Sequence, residues 1–224
     1  MRLILFGASG MIGQGVLREC LLDAGVERVL AVVRSPLVQK DPKLEVVVVK
    51  DPADIAGYQA QLSGYGACFF CLGVSSAGMS EVDYRRVTYD LTLAAAAALA
   101  KLSPNMTFIY ISGQGTDSSE KGRAMWARVK GATENALLQL PFNAYLFRIG
   151  AVLPLHGIKS RTGWYNALYV VGTPLFFALR KLFPKYVLTT EQVGRAMLAV
   201  ARSGAPKRIL ESPDIFQLVA PAKS

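Results

Sequence analysis

The chain of 224 residues is short of the residue types that build small stapled or metal-held proteins: it has one histidine, His156, and three cysteines, Cys20, Cys68 and Cys71. Three thiols and one distant imidazole leave no four-ligand zinc set, and three cysteines cannot form a disulfide framework, so free thiols in a reducing compartment are expected. The sequence has no clean apolar run of the ~20 residues that a transmembrane helix needs. The longest apolar stretch, Trp164–Phe183, is interrupted by Asn166, Gly172, Pro174 and the pair Arg180-Lys181. Met1-Arg2 leads into only four apolar residues before Gly7, whereas a signal peptide core needs ~7–15. Gly and Pro are scattered and no period recurs, which excludes fibrous and low-complexity classes. A cytoplasmic protein is expected from these absences, with peripheral membrane contact as an open alternative.

What is present is aliphatic and basic. Hydrophobic residues make up 52% of the chain and charged ones only 18%, enough to fill one large core. The formal charge of +9 is unevenly placed: residues 1–155 hold 15 Lys and Arg against 13 Asp and Glu, residues 156–224 ten against three. A basic nucleic-acid-binding face would bring a recognition helix, zinc ligands or interleaved aromatics on strands, and none is found, so no nucleic acid partner is expected.

Short runs rich in Val, Ile and Phe alternate with longer segments up to about residue 155. The runs Leu3–Phe6, Arg28–Val33, Val46–Val49, Ala67–Leu72, Met106–Ser112 and Asn143–Ile149 are apolar on consecutive positions, which predicts strands buried on both faces. Met11–Asp23, Asp54–Leu62, Glu81–Leu102 and Lys121–Leu140 read as crossover helices. The pattern predicts a doubly wound parallel α/β sheet of Rossmann type, over residues 1–155, with a small helical C-terminal lobe over 156–224 inside the same compact domain. In that lobe Thr189-Thr190-Glu191-Gln192 gives a capping pattern for a helix to about Arg202, and Arg208–Leu210 reads as a last short strand. Cys68-Phe-Phe-Cys71 has redox-pair spacing but lies in a strand run, where buried thiols are core residues.

Gly7-Ala8-Ser9-Gly10-Met11-Ile12-Gly13 follows the first strand and opens the first helix. A tight strand-to-helix turn needs Gly7, a pyrophosphate approaches the backbone at Gly10, and helix and strand close at Gly13. The unpaired N–H groups of the helix start, around Ser9, Met11 and Ile12, then face the phosphates. Where a ribose-reading carboxylate would stand after the second strand, the sequence has Arg34 followed by Ser35. A guanidinium grips a 2′-phosphate, which favours NADP(H) over NAD(H). Asp51 is placed to accept from the adenine amino group, and Leu72-Gly73 to line the adenosine side.

The spacing of Gly7, Gly10 and Gly13, with Ser112 ending the fifth strand and Lys130 on the next helix, resembles the short-chain dehydrogenase/reductase superfamily. Phe70-Cys71-Leu72-Gly73, Ile111-Ser112, Val129-Lys130-Gly131 and Phe147-Arg148-Ile149-Gly150 look like its atypical branch, the HIV Tat-interacting oxidoreductase-like and bacterial epimerase-like proteins. The resemblance covers about residues 1–155 and, weakly, 187–203. It implies that Ser112 positions a substrate carbonyl, that Lys130 bonds the nicotinamide ribose, and that Ile149, Gly150 and Val152 pass the nicotinamide amide. The superfamily's proton-donating Tyr stands four residues before the Lys, and that position is Trp126, whose indole is a donor only.

Two functions follow as expectations. One is an NADP(H)-dependent oxidoreductase or isomerase on a small or lipophilic carbonyl compound, its proton coming from Ser112, a nearby Tyr, water or the substrate. The other is a non-catalytic NADP(H)-binding sensor that meets a partner. Trp164–Phe183, bracketed by Lys159, Arg161, Arg180, Lys181 and Lys185, is expected to form a lid beside the nicotinamide end, or else a homodimer or membrane contact.

Overall fold

The computed structural model describes residues 1–50, 55, 57–158 and 182–220. Asp51, most of the Trp164–Phe183 segment, and Lys159, Arg161, Arg180 and Lys181 therefore lie outside the described residues.

Strands β1 (Arg2–Phe6), β2 (Arg28–Val33), β3 (Leu44–Val48), β4 (Ala67–Phe70), β5 (Thr107–Gly113), β6 (Asn143–Ile149), β7 (Ala151–Leu153), β8 (Val187–Thr189) and β9 (Ile209–Glu211) alternate with helices. The helices are α1 (Met11–Leu22), α2 (Gln59–Leu62), α3 (Glu81–Arg85), α4 (Leu91–Leu102), α5 (Met125–Leu138), α6 (Thr190–Ser203) and α7 (Ser212–Val219). Seven strands form one parallel sheet in the order β3-β2-β1-β4-β5-β6-β9, and β7 pairs with β8 beside it.

The chain winds outward from β1 to β3 and then returns to the other side of β1, so β1 and β4 diverge at a switch point. Ligands of open α/β sheets sit at such points, beyond the carboxyl ends of the strands. Alternate residues feed two cores. Leu3, Leu5, Val29, Ala31, Phe69 and Phe147 pack under α1 and α6, whereas Ile4, Phe6, Leu30, Phe70, Phe108 and Leu146 pack under α4 and α5. Burial on both faces is why these strands carry no polar alternation. The alanines of α4 let it lie close to this second face, with Ala95 and Ala96 fully buried.

Two readings are corrected by the topology. The third strand is not doubly buried: it is the sheet edge, and Val46 and Val48 are 40% and 39% exposed. Glu81–Leu102 is not one regular helix, because Arg86–Asp90 forms a π turn between α3 and α4, a local widening often seen where a helix borders a functional site. The Thr189–Gln192 pattern does cap α6: the Thr189 hydroxyl accepts from the Gln192 N–H at 3.1 Å, and the Gln192 side chain accepts from the Thr189 N–H at 3.0 Å. Cys20 and Cys68 are buried core thiols, pushed up in pKa chiefly by burial. Among the described residues no helix is long and apolar enough to cross a membrane, and no His, Cys, Asp and Glu cluster has the form of a metal site.

Candidate dinucleotide site

The glycine turn is built as the carboxyl end of β1 requires. Gly7 has φ +78°, and a Cβ there would lie 2.6 Å from the Cys71 carbonyl oxygen, at the point where β1 and β4 part. At Gly13 a Cβ would lie 2.0 Å from the Gly7 oxygen, so that glycine lets α1 close on the strand. Gly10 differs. It caps α1 with φ −80° and ψ 165°, open to any residue, and a Cβ there would meet only the Gly7 oxygen, at 3.4 Å. The fold does not need a glycine at 10, whereas a pyrophosphate lying on that backbone does.

A cavity of about 300 Å³ opens over this turn, and Gly7, Ser9, Arg34, Ser35, Leu72 and Gly73 line it. Six expected residues thus meet across β1, β2 and β4. The remaining residues of the turn serve it from behind: Met11 and Ile12 are partly buried against the α1 side of the core.

Lys50, just beyond β3, joins Arg34 in the cavity wall, and Val87 and Leu91, at the π turn and the start of α4, close the opposite wall. None of these three was legible as a site residue. Lys50 follows an unremarkable Val run, and only the parallel pairing of β2 with β3 brings it to the same sheet end as Arg34 and Ser35. Neither Arg34 nor Lys50 is ion-paired among the described residues, although both face one cavity. Two cations without a described partner beside the glycine turn favour an anionic group there.

Ser112 and Lys130 gather at the carboxyl end of β5. Ser112 is buried, 3.0 Å from the Thr116 hydroxyl, and Thr116 donates its own proton to the Gly113 carbonyl at 2.7 Å. Ser112 is therefore the donor of the shared bond. Gly131 lets α5 press against the loop after β5, since a Cβ there would stand 1.8 Å from the Asp117 carbonyl oxygen. A methyl group on Gly113 would lie 3.5 Å from the Trp126 ring and 3.9 Å from Lys130 Cδ, so Trp126 and Lys130 share one helix face over this strand end. Lys130 Nζ donates to the Tyr110 hydroxyl at 3.5 Å. Burial pulls the Lys130 ammonium down to about 8, partly opposed by Glu134, and burial pushes the Tyr110 phenol well above its ordinary range.

Ile149, Gly150 and Val152 do not line the cavity. The Gly150 N–H donates to the Ser212 hydroxyl at 3.0 Å, the Ile149 carbonyl accepts from the Gln114 N–H at 2.9 Å, and Val152 is buried in the pair β7–β8. The structure thus shows what holds these residues, and Ser112 and Lys130 at the nearby strand end likewise lie outside that cavity's lining.

No family model matches the chain. It is 26% identical to the mitochondrial protein FMP52 of Eremothecium gossypii over 98% of this chain and 97% of that protein. It is 25% identical to the mitochondrial protein fmp52-2 of Aspergillus terreus over 96% of this chain and 95% of that one. A third relative, the leucinostatins biosynthesis cluster protein T of Purpureocillium lilacinum, is 28% identical over 62% of this chain, which spans about half (52%) of that protein. The expectation of a cytoplasmic protein is overturned by these findings, because the relatives that match end to end are mitochondrial by name; sequence composition carries no signal for the organelle.

Among solved structures, the enzyme WbmF of Bordetella bronchiseptica in complex with NAD+ superposes with a TM-score of 0.69 at 15% identity, over 96% of this chain and 76% of that one. A short-chain dehydrogenase of Burkholderia cenocepacia in complex with NADP gives 0.66 at 16% identity, over 98% of both chains. The sheet order, the glycine turn at its switch point and these superpositions give the chain the Rossmann fold of the short-chain dehydrogenases and reductases, with Trp126 where the resemblance expects tyrosine.

Proposed function

We propose that the protein binds a nicotinamide dinucleotide over the Gly7–Gly13 turn, prefers NADP(H), and acts as an oxidoreductase or isomerase on a small carbonyl compound. The carrying observation is the cavity in which the glycine turn, Arg34, Ser35 and Lys50 meet. The residues present suit such a group. Gly10 leaves open the space that a pyrophosphate needs, α1 points its N-terminus there, and two cations stand ready for a 2′-phosphate. When bound, the nucleotide supplies the hydride pair. The chain's own residues hold it: Ser9 and the α1 N–H groups at the phosphates, Arg34, Ser35 and Lys50 at the adenosine ribose, Leu72, Gly73 and Leu91 along the adenosine, and Lys130 and Ser112 towards the reacting end.

A hydrogen bond to a charged group contributes about 1.5–3 kcal/mol, so the 2′-phosphate contact is worth about 10- to 150-fold in affinity. Titrating the protein with NADPH and NADH tests this directly. NADPH is expected to bind at least tenfold tighter, and Arg34→Asp to erase or reverse the preference. Equal affinities in the unmodified protein refute the choice of nucleotide, and no binding of either refutes the dinucleotide reading. Turnover with NADPH and a panel of aldehydes, ketones and quinones then separates an enzyme from a sensor.

A further inference from the structure

We propose that Lys130, through its own Nζ, is the proton donor and acceptor of this site, with Tyr110 as the residue that positions it. The inference rests on the dinucleotide reading above and goes beyond it by naming the acid.

Consider which groups at the end of β5 can give up a proton near neutral pH. Trp126 covers Gly113 and Gly115 with its ring and carries only an indole N–H, which does not titrate there. The Ser112 proton is committed to Thr116, whose own proton goes to the Gly113 carbonyl. Tyr110 is 1% exposed and its phenol is held neutral by burial. The guanidinium of Arg148 does not deprotonate. Lys130 remains, with three N–H bonds, and one of them is fixed by the Tyr110 oxygen at 3.5 Å.

The electrostatics around the amine fit that role. Tyr110 on β5 accepts from the amine and Glu134, one turn further along α5, acts on its charge, while Tyr84 on α3 acts on Tyr110 and Arg148 on β6 pairs with Glu134. Glu134 is the only carboxylate of the set, and it is bidentate to Arg148. No carboxylate reaches ion-pair distance of Lys130 among the described residues. The ammonium therefore lacks the partner that would lock its proton in place, and it titrates at about 8 because burial disfavours its charge. A group poised there gives up and regains protons at neutral pH, as a general acid and base must. The neutral Tyr110 hydroxyl accepts one N–H and thereby aims the amine, leaving the other two protons for the ligand side.

In the direction of reduction, a bound reduced nicotinamide nucleotide would supply the hydride pair for the new C–H bond, and the C=O π pair would take the proton that Lys130 Nζ gives to the oxygen, forming the O–H bond. The products are the alcohol and the oxidised nucleotide. The amine is left neutral and recovers one proton from solvent, so the reduction consumes one solvent proton in all.

Competitive acetylation of the full chain with acetic anhydride between pH 6 and 10, read peptide by peptide by mass spectrometry, measures the titration of each lysine without any substrate. Lys130 is expected to titrate near 8, below the ordinary lysine value of about 10.4. Tyr110→Phe is expected to move Lys130 lower still, because the ammonium loses an acceptor. An ordinary value for Lys130, or no movement in Tyr110→Phe, overturns the proposal whether or not a substrate is in hand. The kinetic arm uses Lys130→Arg, which keeps the cation and its donors but cannot release a proton. The expected result, read at saturating NADPH, is carbonyl reduction down at least 100-fold. Retained turnover overturns the proposal alone, whereas failure of the unmodified protein to bind NADPH overturns the dinucleotide reading on which it rests.

Discussion

Helix α5 carries Trp126 and Lys130 to the end of β5, and one buried ion pair fixes its position. Glu134 on α5 is fully buried and Arg148 on β6 is 12% exposed; Arg148 Nε lies 3.1 and 3.0 Å from the two Glu134 oxygens. Arg148 stands opposite Ser112 in the β5–β6 register, so the pair ties the helix to the strand pair that carries Ser112. Arg148→Met would leave the carboxylate in the interior without its ion-pair partner, and breaking a buried pair in this way costs about 3–5 kcal/mol. Glu134→Leu leaves Arg148 the Ser118 hydroxyl and, at 3.6 Å, Glu211, so about 1–3 kcal/mol is expected.

The double variant removes both charges and puts apolar atoms in their place. A replaced pair is often close to neutral, so the double variant should lose far less than the sum, with a coupling of at least about 2 kcal/mol. Urea denaturation followed by circular dichroism, with unchanged slopes across the four proteins, measures it. Single losses that add to within about 0.5 kcal/mol in the double variant would refute the reasoning, because independent sites behave in that way.

Two further outcomes concern the nucleotide. Gly10→Ala is expected to fold normally and lose NADPH binding at least tenfold, whereas Gly13→Ala, with a Cβ 2.0 Å from a main-chain oxygen, is expected not to fold; thermal melts and NADPH titration separate the two, and a Gly10→Ala protein with full affinity contradicts the phosphate assignment. Trp126→Phe should remove most of the NADPH-induced quenching of tryptophan fluorescence, and undiminished quenching would place the indole away from the reacting end.

Much of the fold was legible because double burial writes itself locally: β2 and β6 fall on Arg28–Val33 and Asn143–Ile149 as the apolar runs predict. The edge position of β3 was not, since Val46–Val49 reads like its neighbours and only the strand order decides which strand lies outermost. The same limit applies to the site. Gly7, Gly13 and Arg34 are set by contiguous chain, and they stand where the turn demands. Lys50, the Lys130–Tyr110 contact and the Glu134–Arg148 pair depend on which strands and helices become neighbours, and no period within one segment records that. The β7–β8 pair and α7, too short to show a period, were missed for a related reason.

The packing of α6 on α1 shows a second use of glycine next to the first. Gly15 and Glu19 on α1 face Thr190 and Gly194 on α6, one turn apart on each helix. A Cβ on Gly15 would lie 2.5 Å from Thr190 Cβ and 3.1 Å from its main-chain oxygen, and a Cβ on Gly194 would lie 2.8 Å from Glu19 Cγ and 3.2 Å from Val16 Cα. Thr190 is fully buried and Glu19 nearly so, the latter held by Arg18 and by Arg195 at 3.2 Å. Gly15→Ala should gain about 1 kcal/mol of helix propensity. Against it stands an overpacking cost of 1–3 kcal/mol, and the upper end applies because backbone atoms cannot swing aside. The net loss of about 2 kcal/mol corresponds to a fall of about 4–8 °C in Tm for a chain of this length. Because α1 can relieve the clash only by moving away from α6, its N-terminus must shift beneath the proposed phosphate site, and NADPH affinity should fall with stability. Gly73→Ala is the control: a Cβ there meets nothing within 4 Å, and Gly73 is itself part of the cavity wall, so affinity should change while Tm does not. A Gly15→Ala protein that melts at or above the parent temperature would show that propensity outweighs the close approach of the two helices, and that α6 does not set the position of the nucleotide-binding helix.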